Sequence, residues 1–417
     1  MISDNLRDLY NKYHSTINLL FFFCLSVSVA DAFFHDVERE FMMSVVTNPI
    51  FVVIVFITES FILPIITILT ILFEYKGIPI RVVSILVLGI ALVFQLVGGY
   101  TLLFINLSVP VLACLVFSSK GKDFNKIAWV YFVTSVVLMG LVTLLSLSGI
   151  IPDLVFNEVG RPNRHSLGMQ YPLNYIAHWF SISLVYCYLR NGFLKAWEYL
   201  CLFGLLTVSV FVCKAQTSSV LFFVLIIGTL IRQVYLFYCR RAEKQLSLRL
   251  KKANDMTKRG LQYSFIFFAA FMIIASLLYV PPISTFLDGF RRLSTFTSRF
   301  KFGRAGLIVY FPTLLGVNYP VRTWDGTHQV ENYFFIDSSY IFALLHCGVL
   351  LYSIIITSLI VFPRRVYKFG TGYGLCILAL FACICAMEHH LTDLSFNIFW
   401  LMTFADINVR RGKAGVI

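Results

Sequence analysis

Long apolar runs separated by short polar clusters recur from one end of the chain to the other. They fall at 15–34, 46–73, 80–98, 99–117, 126–149, 169–190, 196–213, 217–239, 261–283, 336–362, 373–387 and 394–408. Most come close to the roughly 20 residues that cross a hydrocarbon core of about 30 Å. Backbone polar groups have no water partner in lipid, and these runs are too long and too uniformly apolar for barrel strands, so the pattern predicts helices. The expectation is an all-α, polytopic transmembrane protein of about twelve spans, organised as a single membrane domain over 1–417. The split between the third and fourth spans rests only on Gly98-Gly99.

Composition agrees with the pattern. Hydrophobic residues make up 59% of the chain, charged residues 13%, and the mean hydropathy is +0.81. Soluble domains run nearer 45–50% apolar and about 25% charged. The ten cysteines sit in or beside apolar runs, apart from Cys213 in a short turn. They read as small hydrophobes rather than as a disulfide framework. Ile17–Ala30 followed by Ala30-Asp31-Ala32 has the form of a signal-peptide core and cleavage site. We read it as a retained first helix.

Basic residues set the expected direction. With a cytoplasmic N-terminus, the inner segments hold Arg7 and Lys12; Lys76 and Arg81; Lys120, Lys122 and Lys126; Arg190 and Lys195. The inner loop 240–260 adds Arg240, Arg241, Lys244, Arg249, Lys251, Lys252, Lys258 and Arg259, and the last inner segments add Arg364, Arg365, Lys368, Arg410, Arg411 and Lys413. Every inner segment is basic, and the even number of spans brings the C-terminus back to the cytoplasm. The net charge of +13 is therefore mainly a topology signal. Stretch 240–260 reads as a loop against anionic headgroups, since no aromatic interleaving or zinc spacing points to nucleic acid.

The residues that oppose this bias are the informative ones. Outer loop 150–168 holds Arg161, Arg164 and His165, and the long outer loop 284–335, between the ninth and tenth spans, holds Arg291, Arg292, Arg299, Lys301, Arg304 and Arg322. An anionic ligand would favour them there, and the arginine fork suits phosphate. Phe286–Tyr310 also carries Phe290, Leu293, Phe296 and Phe300 at helical spacing among its arginines, which predicts an amphipathic helix at the membrane surface. The bland alternative for Arg291 and Arg292 is contact with lipid phosphates.

Candidate proton-transfer groups lie nearby. His328 and Glu331 share the long outer loop, Asp337 and Tyr340 stand at the outer mouth of the tenth span, and Glu388, His389, His390 and Asp393 form the last outer turn. A carboxylate or histidine there can take a proton from a hydroxyl; a solvated turn is the competing reading for His389-His390. Glu59, inside the second span, reads equally as a functional acid or as a structural hydrogen bond. Metal ligation is disfavoured, because adjacent residues on one turn lack a ligand spacing. The chain has no phosphate-binding G-x-x-x-x-G-K-[ST] loop and no G-x-S-x-G elbow, which argues against an ATP-driven machine and a serine hydrolase.

Three stretches carry a family resemblance. Arg164-His165-Ser166-Leu167-Gly168-Met169, followed by Pro172 and Asn174, resembles the R-x-S-L-G-F…P-N stretch of the Wzy-type bacterial polysaccharide polymerases, relatives of the O-antigen ligases. Gly303-Arg304 with Tyr310 and Gly316 is similar to their G-R-x-x-x-W…G segment. Asp337-Ser338-Ser339-Tyr340 with Gly348 is similar to their D-N-S-Y…G stretch. The ligases usually have histidine in place of Asp337, which favours the polymerases. Met169, Tyr310 and Ser338 depart from the family pattern.

The resemblance implies a metal-independent glycosyltransferase without cofactor in the bacterial inner membrane. It would join oligosaccharide repeat units carried on undecaprenyl diphosphate into O-antigen, capsule or exopolysaccharide at the outer face. A chain-length regulator and a flippase of the same pathway would be its partners. Arginines would hold the diphosphate leaving group: Arg164 and Arg304 first, then Arg291, Arg299 and Arg161. Asp337, Glu388, His328 and His389 are the candidates for the base that activates the acceptor hydroxyl. His165, Tyr340 and Trp324 would contact glycan or support the site, and Tyr319 and Tyr333 would stack on sugars or anchor the loop. The alternatives are an O-antigen ligase and a lipid-linked oligosaccharide flippase. A transporter should show repeated halves and broken helices near the midplane; the sequence carries no convincing internal repeat, and the halves differ sharply in loop length.

Overall fold

The computed structural model describes residues 2–98, 108–158, 161–241, 248–289, 294–322 and 333–407. The chain divides into two compact units: Met1–Leu154, Ser166–His178 and Asp393–Ile417 form the first, Val155–His165 and Trp179–Thr392 the second. Both are mostly helical. Among the described residues five helical segments are long and apolar enough to cross a membrane: Lys12–Phe34, Pro49–Glu74, Phe124–Leu147, Gln216–Tyr238 and Ser339–Phe369. A sixth is added if the pair Asp255–Leu261 and Ser264–Leu277, bent by 54°, counts as one.

In the first unit the helices are α1 (Ile2–Phe34), α2 (Arg39–Val46), α3 (Pro49–Ile57), α4 (Leu63–Glu74), α5 (Ile78–Gly98), α6 (Ser108–Ser118) and α7 (Phe124–Leu147). On α1, Phe21, Cys24, Leu25, Val29 and Phe33 recur at helical spacing and are buried, while Leu19, Leu20 and Phe23 face outward. A helix apolar on all sides, with one stripe on protein and the rest exposed, is what a lipid environment selects. The buried stripe of α1 packs on α7 and α4, and α4 packs on α6. Asn48 and Pro49 start α3 and Asp123 starts α7, each polar side chain accepting a backbone N–H of the first turn. A π-helical turn, Thr58–Ile62, joins α3 to α4 just before Pro64 and contains Glu59. Proline lacks the N–H that a regular helix would use there.

The last apolar run departs from expectation. Segment 394–408 is not an α-helix over its described residues; it holds only a short 3₁₀ turn, Ile398–Thr403. Its polar backbone is satisfied by the protein around it. Tyr131 donates to Ser395 O at 2.5 Å, Ser119 donates to Leu401 O at 3.1 Å, and Asp406 N donates to Lys122 O at 2.8 Å. Its side chains from Phe396 to Thr403 are buried. Irregular backbone is tolerated at membrane depth when protein rather than lipid surrounds it.

The second unit begins with a hairpin of β1 (Val155–Glu158) and β2 (Arg161–His165), in which Phe156 lies opposite Arg164. Its helices are α8 (Pro172–Leu189, whose residues up to His178 belong to the first unit), α9 (Ala196–Thr207), α10 (Gln216–Arg241), α11 (Leu248–Leu261) and α12 (Ser264–Leu277). They continue with α13 (Ile283–Asp288), α14 (Ser294–Ala305), α15 (Ser339–Phe369) and α16 (Gly372–Met387). The basic stretch 240–260, expected as a loop, is helical in its described part. The amphipathic segment expected over Phe286–Tyr310 is helical at α13 and α14, with a π turn over Gly306–Tyr310. α12 packs on α14, α15 and α16, which brings the basic face of α14 to the start of α15 and the end of α16.

Candidate active site

Three chain segments of the second unit converge on Arg299. It lies on the buried side of α14 with Thr297 and Phe300. Its Nε donates to Met387 O, the last residue of α16, at 2.9 Å. Its Nη1 lies 4.0 Å from Asp337 Oδ2 and its Nη2 3.8 Å from Glu388 Oε1. Asp337 stands just ahead of α15. Glu388 is the first residue past α16, with extended backbone at φ −132° and ψ 151°. Ser339, in the first turn of α15, clamps the turn after α16: its hydroxyl donates to Glu388 O and accepts from Leu391 N at 3.1 Å.

One guanidinium stands between two carboxyls, Glu388 buried and Asp337 largely so. Burial raises the Asp337 carboxyl, against the pull of Arg299 and His389, and it raises Glu388 as well. Glu388 is 2% exposed, and burial pushes its carboxyl up to about 8, with Asp337 adding to the rise and Arg299 and Arg164 opposing it. Charging a buried carboxyl without hydrogen bonds is unfavourable, and Glu388 Oε1 accepts none among the described residues. Glu388 is thus a proton donor near neutral pH, beside a second carboxyl that faces the same cation.

Arg164, on β2, is buried, donates from Nε to Cys213 O at 3.2 Å, and is close enough to lower the Glu388 carboxyl. His389 is half-buried, its ring 4.9 Å from that of Phe335 and 4.9 Å from that of His390. His165 ends β2 and is partly buried; Arg161 opens the same strand. Arg291, Trp324, His328 and Glu331 lie outside the described residues. Tyr319 is buried beside Tyr310 and Phe334, and Tyr333 packs on Phe302.

Two expected roles change. Arg299 faces two acids, so it holds the acid pair rather than standing open to a phosphate. Arg304, five residues on along α14, points elsewhere: its Nη1 donates to Leu277 O at 2.6 Å, at the C-terminal end of α12. Of the two expectations for Tyr340, glycan contact or support, its burial and its bond to Ala382 O at 2.9 Å, which ties α15 to α16, fit support. Asp393 belongs to the first unit, where it accepts from Ser395 N and Oγ; burial and Asp36 push its carboxyl up to about 7.

Two features escaped the sequence reading. One is the Ser339 clamp, which no spacing announces. The other lies in the first unit, where the buried His178 Nε2 is 3.1 Å from Asp36 Oδ2 and Asn174 Nδ2 donates to Asp36 Oδ1 at 2.9 Å. A lone histidine in an apolar run was the available signal. Phe396 stacks on the His178 ring at 3.9 Å, so the group is closed off as packing. No cluster of three or more metal-ligating side chains occurs among the described residues. Comparison with known families, with curated proteins and with solved structures found no match.

Proposed function

We propose that the chain is a Wzy-type polymerase, a metal-independent glycosyltransferase of the bacterial inner membrane that needs no cofactor. In this reading it crosses the bilayer about twelve times with both termini cytoplasmic, and the last apolar run is a buried irregular passage rather than a helix. The growing glycan leaves its undecaprenyl diphosphate and passes to a sugar hydroxyl of the next lipid-linked unit. The observation that carries the proposal is Arg299 held between Asp337 and Glu388, with Arg164 acting on the same acid. Three of these four were singled out as chemistry-bearing from the family-like stretches or their flanks, and the fourth is the acid of the last turn.

The chemistry divides between charge and proton. Asp337 is the base that takes the proton of the acceptor hydroxyl. Burial raises the Asp337 carboxyl and readies it to hold a proton, while Arg299 and His389 oppose that rise. Arg164 stabilises the negative charge that develops on the diphosphate. A flippase and a chain-length regulator would act before and beside it.

The test is a glycan ladder from cells with and without the chain. Single-repeat material replacing long polymer on deletion supports the polymerase. Full-length polymer left on undecaprenyl diphosphate would instead identify a ligase, and repeat units trapped on the inner leaflet a flippase. An unchanged ladder removes the proposal. Near-normal polymer from an Arg164→Ala variant would sink the diphosphate role of this arginine.

A further inference from the structure

α15 is not continuous. At Gly348 the backbone leaves the helix, with φ +72° and ψ 170°, and the segment 313–317 fills the break. Val317 N donates to Leu345 O at 2.8 Å, Val349 N donates to Thr313 O at 2.9 Å, and Leu350 N donates to Leu314 O at 3.1 Å. Just upstream, the π turn Gly306–Tyr310 packs on the same helix, where a Cβ on Gly306 would meet Ile336 and Leu345. These three backbone bonds of the strap are all made to a segment that is itself a candidate membrane span.

Depth along that span follows from helix geometry. Residues 345–350 lie about 9–16 Å beyond the start of α15 at 1.5 Å per residue. Counted from Arg364 at the other end, they lie roughly 21–28 Å away, within a hydrocarbon core of about 30 Å. The strap therefore docks in the leaflet nearer the N-terminal end of α15.

Its side chains match that position. Val309, Phe311 and Leu314 are 69%, 71% and 65% exposed, and Ile308 and Leu315 are more than half exposed. Beside them on α15, Val349 and Leu350 are exposed too. No charged residue occurs between Arg304 and Arg322. In water a contiguous patch of this kind would be unfavourable. In lipid it is the expected surface, with its backbone groups paired to protein as the medium demands and an arginine at either end at headgroup level.

We propose that residues 306–317 form a re-entrant strap inserted into the membrane, with lipid acyl chains as the partner of Ile308, Val309, Phe311, Leu314 and Leu315. Part of the segment expected as an outer loop with a helix at the membrane surface is then inserted into the membrane. This does not depend on the polymerase reading.

Tryptophan placed at these positions tests the inference in the full chain, reconstituted in phosphatidylcholine vesicles with or without brominated acyl chains. Leu314→Trp and, as a second variant, Phe311→Trp should add emission over the parent protein that brominated lipid quenches at least twofold and that iodide leaves unchanged. Val321→Trp, next to Arg322, should respond to iodide. Iodide quenching at 314 and 311 as strong as at 321 would overturn the proposal. Quenching by neither agent would overturn it as well, since protein rather than lipid would then cover the strap.

Discussion

Glu388 shows how a single side chain takes its chemistry from its surroundings. An ordinary glutamate ionises near 4.3, whereas burial holds this one protonated up to about 8. The unfolded chain therefore releases the proton at lower pH than the folded one, and stability falls as pH rises through that window. The loss approaches about 1.4 kcal/mol per pH unit between the two values. Melting of detergent-solubilised protein should thus decline from pH 5 to pH 8, and Glu388→Gln should flatten the decline. Gly316 and Gly348 define a second residue-scale constraint. Both have positive φ, and a Cβ would come within 2.0 Å of His346 O in the first case and 2.2 Å of Gly316 N in the second. No side chain fits between backbones this close. Gly348→Ala is expected to cost more than about 4 kcal/mol or to prevent assembly, while Gly140→Ala, with open space around it, should stay within about 1 kcal/mol of the parent. Thermal unfolding of the two variants side by side checks both.

At the scale of elements, the segments that break helical regularity are those whose backbone is served by something other than itself. The run after Asp393 is the clearest case. Tyr131 and Ser119 reach it with side-chain donors, and the α6–α7 turn meets it with backbone. Tyr131→Phe leaves the Ser395 carbonyl without its buried donor and should destabilise the first unit by about 1–3 kcal/mol, measurable as a lower melting temperature. The break in α15 follows the same rule with the strap as the donor and acceptor. α14 serves differently: its inward face carries Arg299 to the acids, while Arg304 closes the end of α12. Two arginines five residues apart thus reach different partners, because a helix turns them to different faces.

For the whole molecule, the distribution of basic residues makes a claim that geometry alone does not. If the basic segments are cytoplasmic, a tag near residue 255 and a tag near residue 325 should report opposite sides of the membrane. Protease or maleimide access in intact cells against permeabilised ones reads this directly, and finding both on one side would break the topology and with it the outer-face location of the site. The long apolar helices support membrane residence on their own. The orientation rests on the charge rule.

Much of the architecture was legible because it depends on local composition. Apolar length announces a helix in lipid wherever the backbone must satisfy itself, and α1, α7, α10 and α15 stand where the pattern put them. Asp337, Glu388, Arg164 and Arg299 stood out as candidates because charged residues beside apolar runs or against the charge bias need a reason to be there. What the tertiary structure alone decided is who meets whom. That Arg299 answers to two acids, that Arg304 answers to a helix end, and that Tyr340 is packing all depend on the crossing of α12, α14, α15 and α16, which no spacing encodes. The irregular path after Asp393 and the strap across Gly348 were hidden for the same reason. Their sequences are as apolar as any helix, and only partners distant in the chain make another backbone conformation affordable in a medium without water.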